Sequence, residues 1–387
     1  MIEHDPRALL RRMQEERPAM LELLRRLAAV ESPTLEPESQ HEAFALLAEA
    51  LADVGYTVRP VRGEAVGDHL YARPARRPRR APYQLLLGHM DTVWPRGTLR
   101  EMPVFSDDGA LYGPGTIDMK GGLVVGVFAL RALAELGLEP AVTPVVFFNT
   151  DEEIGSPEST RIVCLLARRA ERAFVLEAAE GPDGRLKIAR KGLGRFTVTV
   201  RGRAAHAGTS FDEGVSAILE LSNQVQRLFA LNDPAQGITV NVGTIDGGLR
   251  ANVVAPEATA VVGVRVPTAE AARAVEAAIR ALEPTLPGAS VTVEGGFGRP
   301  PMEPLPRNRA LLAKAVQLGH ELGLDVTDAG LVGGGSDANT ASLYTATLDG
   351  LGPRGDGSHA THEHVVTASL PERASLLALL LLEPPAA

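Results

Sequence analysis

Only one of the 387 residues is cysteine and only one is tryptophan, and aromatics make up 4% of the chain. A single cysteine cannot close a disulfide within the chain, so a reducing, cytoplasmic location is the simplest expectation. Cys164 lies in the apolar run Ile162-Val163-Cys164-Leu165-Leu166 with no adjacent base, which marks a small packed hydrophobe, not a nucleophile. No uncharged apolar stretch approaches membrane-spanning length, so no membrane partner is expected. The acidic start Met1-Ile2-Glu3-His4-Asp5-Pro6 lacks the apolar run of a signal peptide. Positive charge is in deficit too: 39 Lys and Arg face 48 Asp and Glu, for a formal net charge of −9, which argues against a nucleic-acid surface. The one strongly basic spot, Arg73, Arg76, Arg77, Arg79 and Arg80, is broken by prolines and reads as a solvated loop. No Gly-x-Ser-x-Gly elbow occurs, and Ser336 in Gly334-Gly335-Ser336-Asp337 lacks that setting, so a serine hydrolase of that type has little support.

What is present is an ordinary globular composition, 45% hydrophobic and 22% charged, in a chain long enough for two domains. Leucines and methionines at three- and four-residue spacing predict one amphipathic helix over Arg7–Val30 and another over Gln40–Val54. Short strands follow near Thr57–Val61, His69–Ala72 and Tyr83–Leu87, then a helix over Leu123–Leu136 and an almost wholly apolar strand over Val142–Phe148. After Lys191 the pattern changes. Phe196–Val200 and Ile238–Val242 alternate strictly, as half-solvated strands do, with helical patterns over Val215–Phe229 and Ala269–Leu282. The run Gly295-Gly296-Phe297-Gly298-Arg299-Pro300-Pro301 reads as a flexible junction, after which helical signals resume at Asn308–Leu322 and Ser369–Leu382. The expected fold is α/β: a discontinuous catalytic domain, 1–190 and 301–387, with a central mixed, mostly parallel sheet and flanking helices. Residues 191–300 are expected to form an inserted α+β, ferredoxin-like domain, a small sheet with two helices on one face.

The chemistry is concentrated where apolar runs end in acids. Phe147-Phe148-Asn149-Thr150 leads into Asp151-Glu152-Glu153-Ile154-Gly155-Ser156; Gln84–Leu87 leads into Gly88-His89-Met90-Asp91-Thr92; Leu111–Gly115 leads into Thr116-Ile117-Asp118-Met119-Lys120-Gly121-Gly122. Three adjacent carboxylates repel one another and are best tolerated where cations sit between them. His89, Asp118, Glu153, Glu177 and His359 are the candidate metal ligands in chain order. They are too widely spaced for a finger-type site and suit ligands gathered from separate strand ends. Imidazole and carboxylate without thiolate fit zinc, cobalt or manganese, and five ligands fit two metals sharing one carboxylate better than one catalytic zinc. Taken singly, each has a plainer reading: Asp118 as a turn or cap residue, Glu177 as a solvated edge charge, His359 as an incidental loop histidine. His4, His41, His69, His320, His362 and His364 read as surface or packing residues.

The words GHMDT, YGPGTIDMKGG, NTDEEIGS, VLEAA, AAHAG, ANVVAP, GGGSDA and GDGSHATHE span nearly the whole chain and resemble the M20 family of co-catalytic metallopeptidases and aminoacylases. GHMDTV, FNTDEE and GGGSDA followed by LDGLGP look most like its glutamate carboxypeptidase (carboxypeptidase G) group. The resemblance implies two Zn2+ per subunit, with Co2+ or Mn2+ as substitutes. His89 and Glu177 would hold one, Glu153 and His359 the other, and Asp118 would bridge. It makes Asp91 the partner of His89 and Glu152 the general base and acid that takes a proton from a metal-bridging water. It implies that His206, in Ala204-Ala205-His206-Ala207-Gly208, stabilises the oxyanion from the partner subunit of a homodimer, with the inserted domain serving dimerisation and acting as a lid. Asn252 and Arg265 would bind a substrate carboxylate, Gly334 would bring backbone close to substrate, and Lys191 would contribute to binding an acidic side chain. The family pattern has Asp two residues before that arginine where this chain has Gly263. The implied activity is release of a C-terminal amino acid, glutamate or similar, from an N-acyl amino acid or short peptide. The alternative is an N-acyl-amino-acid deacylase or di-/tripeptidase using the same site.

Overall fold

The structure, a computed structural model, describes residues 5–76 and 81–385, so Arg77, Arg79 and Arg80 of the basic spot lie outside the described residues. The chain divides into two compact units, Met1–Ile188 with Pro304–Gly330 and Ser336–Ala387, and Ala189–Glu303 with Leu331–Gly335.

In the larger unit six strands pair in the order Tyr56–Val61, His69–Pro74, Thr143–Asn149, Tyr83–His89, Arg172–Val175, Ala346–Leu348. The first two pairings are antiparallel and the other three parallel, which makes the sheet mixed and mostly parallel. Leu85, Leu86, Leu87, Val145, Val146, Phe147 and Phe148 are all buried, as unbroken apolar strands covered on both faces must be. Helix Gly121–Glu135 is buried along nearly its whole length. It can approach the sheet because Gly122 carries no side chain: a Cβ there would run into the Leu176 carbonyl. Where one helix is predicted over Arg7–Val30 there are two, Pro6–Glu15 and Arg17–Ala28. Pro18 explains the break, since it offers no N–H and its ring clashes with the carbonyl of residue 14, while it fits the first turn of a new helix.

Tyr83–His89, Thr143–Asn149 and Arg172–Val175 run parallel, so their C-terminal ends share one edge, with His89 opposite Asn149 and Leu87 opposite Val175. That edge is where open α/β sheets place ligands. A second, small sheet joins Phe105–Asp107, Ala110–Tyr112, His364–Val366 and Gly355–Asp356. Its loops carry Asp118, which follows Tyr112, and His359, which lies between Asp356 and His364.

The smaller unit has four antiparallel strands in the order Thr239–Gly247, Glu257–Val266, Gly192–Arg201, Ser290–Arg299. With helices Ala217–Phe229 and Ala269–Arg280, the chain order is that of a ferredoxin-like βαββαβ unit. Phe196, Val198, Val200, Val262 and Val264 share one core with Leu221, Leu228, Val275 and Ile279, so both helices cover the same face. Ser216 and Thr268 cap these helices by accepting from the N–H groups of Leu219 and Ala271. The expected flexible junction at 295–301 is instead largely strand, paired with Leu193–Phe196. Gly295 permits it, with φ of 96° and no room for a Cβ beside the Arg195 carbonyl. Among the described residues no helix is long and apolar enough to cross a membrane.

Candidate metal centre

Five side chains from five separate segments converge. His89 Nε2 lies 3.2 Å from Asp118 Oδ1 and 3.7 Å from Glu177 Oε1. His359 Nε2 lies 3.2 Å from Asp118 Oδ2 and 3.2 Å from Glu153 Oε2. Asp118 therefore presents one oxygen to each imidazole, which divides the cluster into a His89 side and a His359 side. Ligand atoms of His89, Asp118 and Glu153 lie within 4.8 Å of one another, and so do those of His89, Glu152 and Glu177. By distance alone Glu152 also could touch an ion on the His89 side. Exposure grades outward: His89 is buried, the side chains of Glu177 and Asp118 are 12% and 18% exposed, and that of His359 is 54% exposed.

Each ligand is set by local structure. Asp118 sits at φ −121° and ψ 93° inside the turn Thr116–Lys120, off the helical path, next to a cis Asp118–Met119 peptide. His359 adopts φ 61°, a left-handed conformation that a non-glycine residue holds only under tertiary constraint. The triple acid is folded into a tight loop. Ser156 N donates to Asp151 O at 2.8 Å, and Asp151 Oδ2 accepts from the N–H groups of Glu158 and Ser159. Asp337 ties the same loop down by accepting from Asn149 Nδ2 at 2.6 Å and Ser156 Oγ at 2.7 Å. Asp91, fully buried, accepts from the N–H groups of Glu152 and Glu153 and from Thr34 Oγ1. Its carboxylate lies 3.4 Å and its carbonyl 3.0 Å from His89 Nδ1, so that nitrogen is the one placed to carry a proton. Nε2 is left to face Asp118 and Glu177, the arrangement by which an acid behind an imidazole fixes a metal-binding tautomer.

The electrostatics call for cations. Burial opposes charge on His89, yet its contacts with Asp118 and Asp91 hold its pKa well above the ordinary value. Hydrogen bonds to Asp118 and Glu153 raise His359 to about 10. Asp118 ionises more readily than a free aspartate, because the two histidines outweigh its burial. Burial pushes Glu153 the other way, and its buried Oε1 has no hydrogen-bond partner. An orphaned buried acceptor beside two imidazoles and two further acids is a donor set that one or two divalent ions would satisfy.

The model of peptidase family M20/M25/M40 matches residues 85–383. The chain belongs to that family. This M20 peptidase is 31% identical over 375 residues to Carboxypeptidase G2 of Pseudomonas sp. (strain RS-16), an alignment covering 95% of this chain and 90% of that one. Among solved structures it superposes on aminopeptidase PepT of Bacillus cereus with a TM-score of 0.76 at 22% identity, covering 94% and 98% of the two chains. An M20 metallo-carboxypeptidase of Sulfolobus solfataricus gives 0.70 at 14% identity, covering 95% and 100%. A dinuclear metal-binding M20 peptidase of Bacillus subtilis gives 0.67 at 14%, covering 95% and 98%. These structures share the fold. The protein is an enzyme of the metallopeptidase and carboxypeptidase kind with a candidate metal site.

Sequence reasoning passed over two residues that the peptidase builds into this centre. Asp337 is the first, and Glu363, which accepts hydrogen bonds from the Asp118 turn, is the second. Each binds donors far away in the chain, so no local motif marks it. His69 begins a strand and is buried, with Nδ1 2.9 Å from Thr150 Oγ1, a packing position behind the triple-acid loop.

The remaining candidates lie in the smaller unit. His206 is exposed, and its Nδ1 accepts from the N–H groups of Gly208 and Thr209 at 3.0 and 3.1 Å. Nδ1 is thereby the acceptor, which leaves Nε2 to carry the proton and donate outward. Asn252 is adjacent, its carbonyl accepting from Ala207 N. Arg265 lies at the opposite end of the same ladder, its Nη1 donating to Gly333 O at 3.0 Å. That contact orients the guanidinium in the absence of an acid at position 263. Gly334 O accepts from Arg190 Nη1, and Lys191 N donates to Val332 O, so Lys191 and Gly334 belong to the Arg265 end. The ladder runs eight residues from Arg265 to Glu257, about 26 Å at strand rise. It continues through Pro256–Gly202 and Val254–Ala205 before reaching His206.

Proposed function

We propose that this peptidase is a two-zinc carboxypeptidase releasing a C-terminal amino acid, glutamate or similar, from an N-acyl amino acid or short peptide. The observation that carries the reading is the meeting of His89, Asp118, Glu153, Glu177 and His359, with Glu152 beside them and a buried acceptor left over. In this reading His89 and Glu177 would hold one metal, Glu153 and His359 the other, and Asp118 would serve both. Cobalt or manganese could substitute. The metals would polarise the scissile carbonyl and lower the pKa of the attacking water. Glu152, spared ligation, accepts the proton of that water and passes it to the departing amine. Asp91 supports both functions, holding the His89 tautomer and the Glu152 backbone together.

Arg265, a planar two-point donor, holds the product α-carboxylate with help from Asn252, Gly334 offers close-approach backbone, and Lys191 meets an acidic side chain. His206 Nε2 donates to the oxyanion. Separation within the smaller unit favours a homodimer through that unit: residues more than about 26 Å apart along one ladder cannot both touch one amino-acid-sized substrate. His206 and Asn252 would then come from a second copy. A di-/tripeptidase or N-acyl-amino-acid deacylase is the second reading. It uses the same site and has the fold-level likeness to a Staphylococcus aureus tripeptidase behind it (TM-score 0.73, 21% identity).

A panel of N-acyl amino acids and di- and tripeptides, followed by mass spectrometry with and without chelator, tests the reading. Release of acidic C-terminal residues from N-acyl compounds, abolished by chelation and restored by zinc, is expected. Preference for free-amino tripeptides would transfer the assignment to the second reading, and hydrolysis indifferent to chelator would overturn both.

A further inference from the structure

The turn that bears Asp118 is held by a carboxylate with no part in the proposed chemistry. Glu363 is 1% exposed. Its Oε2 accepts from Gly115 N and Trp94 Nε1, both at 2.8 Å, and its Oε1 from Ile117 N at 3.0 Å and Asp118 N at 3.1 Å. Its own carbonyl accepts from Gly113 N at 3.1 Å. A carboxylate offers about four acceptor positions, and here four donors fill them. Three ligand-bearing segments therefore meet on one side chain. Trp94 follows His89 and Asp91, Gly115 to Asp118 carries the acid facing both imidazoles, and Glu363 itself closes the loop of His359 through Glu363 N to Ala360 O.

We propose that Glu363 is a positioning residue: by binding the amides of the Asp118 turn and the Trp94 indole, it aims the Asp118 carboxylate between the His89 and His359 sides of the centre. The inference rests on reading Asp118 as a shared metal ligand. The turn needs such an anchor because Asp118 lies off the helical path, where its N–H has no helix carbonyl to meet. Glu363→Gln keeps the size and one acceptor oxygen but turns an NH2 group toward two N–H donors, so the turn shifts without loss of volume.

Zinc affinity of the chelator-stripped full-length chain is the test, measured by competition with a chromophoric chelator and accompanied by kcat, KM and the emission of Trp94, the chain's only tryptophan. Glu363→Gln is expected to weaken at least one zinc site about 10- to 100-fold and to lower kcat with KM little changed. Zinc is expected to shift Trp94 emission in the wild type and to shift it less in the variant. Thermal unfolding of the metal-free forms tells a displaced ligand from a lost fold. Should Glu363→Gln not fold, Trp94→Phe removes one donor only and is expected to weaken zinc binding a few-fold. A folded Glu363→Gln chain, or failing that Trp94→Phe, with wild-type zinc affinity overturns the positioning role while leaving the metal reading intact. A wild-type chain that binds no zinc overturns both.

Discussion

In the proposed reading the two units prepare for substrate in opposite ways. In the larger one, Asp91 is buried and saturated with hydrogen bonds, and the ligands it serves are fixed by loop geometry before any ion or substrate arrives. In the smaller one, His206, Asn252 and Arg265 are exposed and held mainly by backbone contacts. Buried, desolvated charge is costly unless its counter-charge is placed in advance, so a metal site must be built rigidly. Exposed donors waiting for a carboxylate or an oxyanion cost little when unoccupied. The contrast makes mutations in the two units distinguishable: in the first, chemistry or metal is lost; in the second, substrate recognition or subunit complementation.

The strongest break in that contrast is Glu152→Gln, which is expected to lower kcat by roughly 10²- to 10⁴-fold, since it removes the proton carrier and leaves the five ligands. Steady-state hydrolysis of an N-acylglutamate measures it, and a variant within threefold of wild type would put the proton transfer elsewhere. His206→Ala should cost about 10²- to 10³-fold in kcat. Mixing it in equal amounts with Glu152→Gln, under conditions that exchange subunits, sharpens the point. If His206 acts across a dimer, half the dimers are hybrids with one complete site each, and about a quarter of wild-type activity returns. No recovery means that each chain completes its own site.

Arg265→Lys is expected to act mainly on KM, raising it about 10- to 100-fold, because a point charge replaces a two-point donor. A fall confined to kcat would instead place Arg265 in the chemistry. The smallest effect concerns protons. His89 and His359 have raised pKa values in the metal-free chain, His359 about 10, against an ordinary value of 6.5. Their stabilising contribution is full below the unfolded value near 6.5 and is lost as pH rises through the folded values. The metal-free peptidase should therefore lose melting temperature from pH 6.5 toward 10. Zinc binding should release protons in that window, read by calorimetry in buffers of different ionisation enthalpy. Proton-neutral binding would show that the imidazoles are not the ligands.

Much of the larger unit was legible because its physics is local in sequence. Apolar runs such as Leu85–Leu87 and Val145–Phe148 must be strands buried on both faces, and parallel strands deliver their C-terminal acids to one edge. The smaller unit was harder to read. Glu257–Val266 went unassigned, and the glycines of Ser290–Arg299 imitate a linker because Gly295 is needed for a positive φ inside a strand. Pro18 was within reach, since a proline in a helical pattern forces a boundary. Glu363 and Asp337 were not, because they bind groups 181 to 269 residues distant and resemble surface acids until the chain closes around them.

The division of labour between Glu152 and Glu153 is the central claim, and metal content tests it most directly. Wild type and Glu152→Gln should be prepared side by side in zinc and their metal counted per chain by plasma mass spectrometry. Two zinc ions are expected in both proteins. One or none in the wild type, or a lost ion in Glu152→Gln, would contradict it by making Glu152 a ligand or the centre something other than dinuclear.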